Sequence, residues 1–211
     1  MKRVLTILLI CTLCLAFATA LAACGETPVQ EPHSQEEETV KGNPIVQFSF
    51  HTGDVITVEL YPDAAPITVA NFLQYVNEGF YTGTVIHRVG TSVVQGGGYV
   101  YRNGRYEERT ATHAAITGEF SDNGVTNNVS HTAGAISMAR TTVFNSATSQ
   151  FFFCPYDHTG WDGQYAAFGH VVDEDSLAAI RRLSNVEHSV STDGTGTPYE
   201  PIIVRSVKVI G

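Results

Sequence analysis

At 211 residues, 43% of them hydrophobic, the chain is long enough for one domain with appendages and apolar enough for a full core. Its 12 Lys and Arg against 21 Asp and Glu leave a formal charge of −9, which excludes nucleic acid as a principal ligand, since that would call for a basic face. The four cysteines are Cys11, Cys14, Cys24 and Cys154, and only the last falls in the globular part, which excludes a disulfide-stapled scaffold.

The N-terminus reads as a leader over residues 1–23. Lys2 and Arg3 form a short positive region, and an apolar run follows with small residues toward its end. Leu21-Ala22-Ala23-Cys24 matches a lipobox, the signal for lipid attachment to the cysteine and cleavage before it. The expectation is therefore an exported protein held by acyl chains (palmitate among them) on Cys24. Its place is the outer face of the cell membrane, or the outer membrane and periplasm if the host has two membranes. Loss of Lys2 and Arg3 with the leader takes the balance from −9 to about −11. Residues 24–43 hold Pro28, Pro32, Ser34 and three consecutive glutamates, Glu36 to Glu38, with few apolar residues to offset the entropy of ordering. They read as a solvated acidic tether. The folded domain is assigned to residues 44–211.

Within the domain, residues 44–50 alternate apolar and polar, HTGD at 51–54 carries turn chemistry, and 55–61 alternate again, which predicts a β-hairpin. Pro66 suits a first helical turn, and Val69, Phe72, Leu73 and Val76 form one apolar stripe before Gly79, predicting a helix. Strand-like runs follow at 84–89, 92–97, 133–139, 149–154 and 167–172. Asp173 caps a second predicted helix, with Glu174 and Asp175 in its first turn and Arg181 and Arg182 in its last. Residues 202–210 close with strand alternation. Many short strands and two well-separated helices point to an antiparallel barrel with helical plugs.

Two stretches carry the chemistry. VIHRVGTSVVQGGG, residues 85–98, sets Arg88 into an apolar run and ends in Gln95 and three glycines; SMARTTVFNSATSQFFF, residues 137–153, ends a strand-like run at Arg140 and returns through Gln150. A charge in an apolar run is costly to bury unless it meets a partner. The residues alone leave open whether Arg88 serves a structural ion pair or a reaction. Alternation predicts that Phe151 and Phe153 point into the barrel core and Phe152 away from it. The eight histidines are scattered without an HxxxH or HxH pair, so no metal site is expected. The triple glycine lacks the spacing and following helix of a phosphate loop, and no GxSxG elbow is present. Cys154, after the aromatic run, reads as a buried small hydrophobe.

HRV followed by QGGG, then SMAR and SQFFF, resembles a cyclophilin-type peptidyl-prolyl cis-trans isomerase over residues 44–211. NFLQYVNEGFY, IHRV, MART, SATSQFF and FGHVV, in this order, are similar to the bacterial secreted and lipoprotein branch. The resemblance implies a mainly β fold, a closed eight-stranded antiparallel barrel with two capping α-helices. It implies rotation of X-Pro peptide bonds without a cofactor, assisting exported proteins to fold; the alternative is a weakly active or inactive module that binds proline-containing segments. By the same resemblance Arg88 and Gln95 are the catalytic pair. Ser92, Val93, Ala139, Arg140, Thr141, Gln150, Phe152, Trp161 and Tyr165 are the substrate-binding set, Phe152 being the wall of the proline pocket. Between HRV and QGGG the chain has five residues, GTSVV, where the family has six. Counted back from Gln95, Val93 stands for a family methionine and Ser92 for the phenylalanine that packs on proline. Cyclosporin binding is implied in weakened form, and a monomer is expected.

Overall fold

The structure is a computed structural model that describes residues 42–211; the leader, Cys24 and most of the tether lie outside the described residues. Strands β1 (Ile45–Phe50) and β2 (Val55–Leu60) form the expected hairpin, with Phe48 opposite Ile56 and Val46 opposite Val58. Their alternate residues Val46, Phe48, Phe50, Ile56, Val58 and Leu60 are all buried, as a period of two on a half-buried sheet requires. Further along are β3 (Val85–Ile86), β4 (Arg88–Val89), β5 (Val94–Gly96), β6 (Tyr99–Arg102), β7 (Arg105–Glu108), β8 (Ala135–Met138), β9 (Phe151–Phe153), β10 (Ala167–Val171) and β11 (Ile202–Val209).

Nine of these segments pair antiparallel in the order β3-β11-β1-β2-β10-β8-β9-β5-β4, a sheet that rolls into a nearly closed barrel. Eight strands were expected, and the extra one has a local cause. β3 and β4 are consecutive halves of one run interrupted at His87: the first pairs with β11 and the second with β5. Counted as one bent strand, they join the two ends of the sheet order. The hairpin β6–β7 stands outside that sheet and was not anticipated. Its turn is Asn103-Gly104, both with positive φ (51° and 75°), the left-handed pair that a two-residue hairpin turn requires. The surrounding charges (RNGRYEER) hide the strand alternation, and only Tyr101 opposite Tyr106, 5.2 Å ring to ring, marks the pairing.

Helix α1 (Pro66–Asn77) starts with proline and buries Val69, Phe72 and Val76 on the barrel. Phe72 lies 5.2 Å from Phe168, and Phe48 lies 5.2 Å from both Phe151 and Phe153, so aromatic rings fill the interior. Helix α2 (Glu174–Ser184) is capped as expected, Asp173 Oδ1 accepting from the Ser176 amide at 2.7 Å. The start of α1 has no such local cap, because Ala65 has no side-chain acceptor. Glu119, buried and 51 residues from Thr68, serves instead: it accepts from the Ile67 amide at 3.0 Å and from the Thr68 amide and hydroxyl at 2.7 and 2.6 Å. The carboxylate also meets the positive end of the helix dipole. Glu119→Ala orphans these donors and should cost about 2–4 kcal/mol of stability. A denaturant midpoint unchanged from wild type would show that α1 does not depend on this cap.

Candidate active site

The sheet register builds the site. Arg88 on β4 lies opposite Gln95 on β5, Gln95 opposite Phe152 on β9, and Phe152 opposite Ser137 on β8. One cross-strand row therefore collects residues 7 to 64 positions apart in sequence onto the outer face of the barrel, as the period of two dictates. The neighbouring row, Val89 opposite Val94 and Val94 opposite Phe153, points into the core, and Phe151 and Phe153 are fully buried there.

A cavity of about 300 Å³ opens on this outer face, lined by Arg88, Val93, Gln95, Ala139, Arg140, Phe152, Trp161 and Tyr165. Val93, Ala135, Phe152 and Cys154 form a small apolar cluster of their own, with Ala139, Trp161 and Tyr165 packed against it. Trp161 and Tyr165 stand edge-on to Phe152 at 5.6 and 5.8 Å. Cys154 is buried, which pushes its thiol pKa up to about 12 and leaves it unreactive as a thiolate.

The polar wall is a chain of hydrogen bonds. Arg88 donates from NH1 to Gln95 Oε1 at 3.1 Å, and Gln95 Nε2 donates to Gln150 Oε1 at 3.1 Å. Gln150 lies against the backbone at Gly98, where a Cβ would come within 2.5 Å of its amide; that close approach accounts for a glycine there. Arg88 also donates from Nε to Thr195 Oγ1 at 2.9 Å and from NH2 to Asp193 Oδ2 at 2.7 Å. The guanidinium has five N–H donors in all, so one remains on each terminal nitrogen.

Arg140 is fixed differently. Its guanidinium sits 4.6 Å from the Tyr165 ring centre, 5.0 Å from Phe144 and 5.1 Å from Phe120, and donates to the carbonyls of Gln164 and Thr141. It is thus a rigid part of the wall. Three residues named from the sequence fall outside the lining. Gln150 reaches the cavity through Gln95, and the Thr141 hydroxyl and amide engage Ser146 in the exposed turn that follows. Ser92 lies in the β4–β5 turn, while Val93, two residues before Gln95, shares that residue's face and takes the place at the cavity floor.

The sequence reading missed the support beneath Phe152. His131 is fully buried and stacks on the Phe152 ring at 6.0 Å and 14°. Its Nδ1 lies 2.8 Å from Asp162 Oδ1 and its Nε2 lies 3.0 Å from Ser137 Oγ. Burial lowers the imidazole pKa against the opposing pull of Asp162, so the ring is neutral, donating to the carboxylate and accepting from the hydroxyl. Burial would raise the Asp162 pKa, but bonds from Ser130 and His131 outweigh it and hold the carboxyl below its usual range.

His87, beside Arg88, packs tilted at 42° against Tyr99, 4.5 Å ring to ring, and its Nδ1 is buried without a hydrogen-bond partner. Burial drives its pKa down to about 4, with the Val85 backbone opposing and the Arg88 charge reinforcing the fall. Folding therefore favours neutral His87: the associated stability is present above pH 6.5 and is lost as pH falls from there to about 4, below which it levels off. An NMR titration should place the His87 imidazole near 4; a value near 6.5 would mean that the ring is not desolvated. Among the described residues, no group of three or more His, Cys, Asp or Glu is arranged to hold a metal ion.

Comparison with known proteins agrees with this architecture. The family model for cyclophilin type peptidyl-prolyl cis-trans isomerases matches residues 45–209. Peptidyl-prolyl cis-trans isomerase A of Dickeya dadantii is 38% identical over 161 residues, covering 74% of this chain and 79% of the relative. Peptidyl-prolyl cis-trans isomerase B of Escherichia coli is 33% identical over 174 residues, covering 76% and 98%. A Cryptosporidium parvum cyclophilin type isomerase, solved in the presence of the dipeptide Ala-Pro, superposes with a TM-score of 0.63, covering 79% of this chain and 99% of that one. At 21% identity that likeness speaks to the fold. With a family model matched across nearly all of the described residues and curated relatives above 30% identity, the chain belongs to the cyclophilin-type peptidyl-prolyl cis-trans isomerase family.

Proposed function

We propose that this chain catalyses cis–trans rotation about X-Pro bonds in exported proteins, working from a lipid anchor on Cys24 at the outer face of the membrane. The observation that carries the catalytic part is a fixed guanidinium with uncommitted N–H donors, beside a cavity of about 300 Å³ with an apolar wall of Val93, Phe152, Trp161 and Tyr165. Rotation faces a barrier of about 18–20 kcal/mol because the nitrogen lone pair is delocalised into the carbonyl. In the twisted transition state that lone pair is localised, and a donor aimed at it binds this state better than either planar form. Arg88 supplies the donor, and it stays protonated at every working pH. Phe152, Val93, Trp161 and Tyr165 hold the ring, and the second amide N–H of Gln95 is left to engage the substrate backbone. The Ala-Pro dipeptide present with the Cryptosporidium parvum protein supports a proline-containing ligand.

A second reading, a binding module with little catalysis, draws on the Arg88–Asp193 ion pair at 2.7 Å, which tempers the positive charge. NMR exchange on an X-Pro peptide separates the two. Catalysis well above the uncatalysed rate of tens to hundreds of seconds supports the isomerase, and line broadening from binding without faster exchange supports the module. Cyclosporin should inhibit weakly, since a valine rather than a larger side chain floors the cavity. The anchor has its own test: Cys24→Ala should move the protein out of the membrane fraction, because two or more acyl chains anchor stably where one does not. Unmodified Cys24 in the mass spectrum of the membrane-bound wild-type protein would count against it.

A further inference from the structure

The segment between α2 and β11 folds back on itself. The Ser189 amide bonds to the Thr197 carbonyl at 3.0 Å and the Ser191 amide to the Thr195 carbonyl at 2.8 Å, with a turn closed from Gly194 to Ser191 at 3.1 Å. This small hairpin docks on β4: Val89 and Gly196 exchange both of their amide-to-carbonyl bonds, each at 2.8 Å. β4 has only β5 as a partner in the barrel sheet, so the hairpin occupies its free edge. The approach is close. A Cβ at Gly90 would stand 2.9 Å from the Gly194 carbonyl oxygen and 3.1 Å from the Thr195 Cα. Tyr106, on the unanticipated β6–β7 hairpin, braces the far side by donating to the Pro198 carbonyl at 2.8 Å.

We propose that this docked hairpin is a positioning arm for the catalytic guanidinium, with Thr195 and Asp193 as positioning residues that fix the plane of Arg88. The proposal rests on the reading of Arg88 as the catalytic donor. The hydrogen bonds form a closed ring of consistent polarity. Thr195 is buried; its hydroxyl proton goes to Asp193 Oδ1 at 2.7 Å, and a lone pair of the same oxygen accepts Arg88 Nε–H at 2.9 Å. The Thr195 amide also donates to Asp193 Oδ1 at 3.0 Å, leaving Oδ2 for Arg88 NH2. With Gln95 on NH1, all three guanidinium nitrogens are held, so neither rotation about the last side-chain bond nor sliding of the plane is free. Bonds from Thr195 and Arg88 lower the Asp193 pKa to about 2, so the arm keeps its charge at neutral pH.

A carboxylate beside a cationic donor could instead quench it. The side chains are 40% and 53% exposed, so solvent screens much of the charge effect, whereas the donor geometry is not screened. Positioning outweighs quenching, and removal of the arm's contacts lowers turnover.

The test uses the full mature chain and an X-Pro peptide followed by NMR exchange. Thr195→Val keeps the shape and deletes the hydroxyl; Thr195→Ser restores it. Asp193→Ala deletes the acceptors; Asp193→Asn keeps one oxygen. Thr195→Val and Asp193→Ala should each lower kcat about 3- to 10-fold with KM changed less than twofold, and Ser and Asn should recover most of the loss. The Arg88 Nε–H resonance should exchange slowly in the wild type, be lost in Thr195→Val and return in Thr195→Ser. In an Arg88→Ala background Thr195→Val and Asp193→Ala should cause no further loss. Wild-type kcat in Thr195→Val and Asp193→Ala, a gain of activity in Asp193→Ala, or an equal loss in the Arg88→Ala background would each overturn the arm while leaving Arg88's role intact. Full activity in Arg88→Ala alone would remove both that role and the arm.

Discussion

Arg88→Ala should lower kcat/KM for X-Pro exchange by about 10²–10³-fold, the range seen when one preorganised transition-state donor is deleted. The effect should appear without much loss of stability. The Arg88 side chain is 40% exposed, and its partners Gln95 and Asp193 can turn to water, so the cost to folding should stay within about 1 kcal/mol. Arg88→Lys should recover only part of the rate. An ammonium can meet Asp193 or Gln95 but cannot bridge Thr195, Gln95 and Asp193 in one plane while keeping donors for the substrate. Exchange in Arg88→Ala as fast as in the wild type, with the protein folded by its NMR spectrum, would remove Arg88 from the reaction.

Much of the fold was legible because it follows local rules. The alternation in residues 45–60, the proline at the start of α1 and the Asp173 cap of α2 each set an element through neighbouring residues. The site was legible where a short motif coincides with the cross-strand row, as at Arg88, Gln95 and Phe152. What escaped were partners joined only by the barrel's closure. Glu119 caps a helix 51 positions away, and Asp193 and Thr195 meet Arg88 from 105 and 107 positions away. No periodicity signals such contacts. The β6–β7 hairpin was a different kind of miss, since Asn103-Gly104 announces its turn and only the charged flanks obscured it. Ser92, placed by counting along a motif, lies in the β4–β5 turn outside the cavity lining, whereas the parity of Val93 with Gln95 puts valine on the cavity wall and sends Val94 into the core.

In the proposed reading Phe152 is the buried aromatic wall of the proline site, and its replacement should act mainly on binding. The residue is 4% exposed, floored by Val93, Ala135 and Cys154 and backed by the His131 ring. Phe152→Ala removes a buried aromatic contact worth about 1.5–3 kcal/mol to the substrate, so KM should rise about 10- to 100-fold. The Arg88–Gln95 bond and the arm on Thr195 do not pass through Phe152, so kcat should fall far less. Truncation also enlarges the cavity and unstacks His131, which should cost about 3–5 kcal/mol of stability. Against a typical domain stability of about 5–15 kcal/mol, assay at low temperature keeps the variant folded. Phe152→Leu guards against misreading partial unfolding as lost affinity, because it keeps most of the apolar volume and should raise KM only a few-fold. The informative outcome is the division between constants. If Phe152→Ala lowers kcat as much as kcat/KM and leaves KM alone, the ring acts by shaping the donor wall, and the cavity beside it is not where proline is bound.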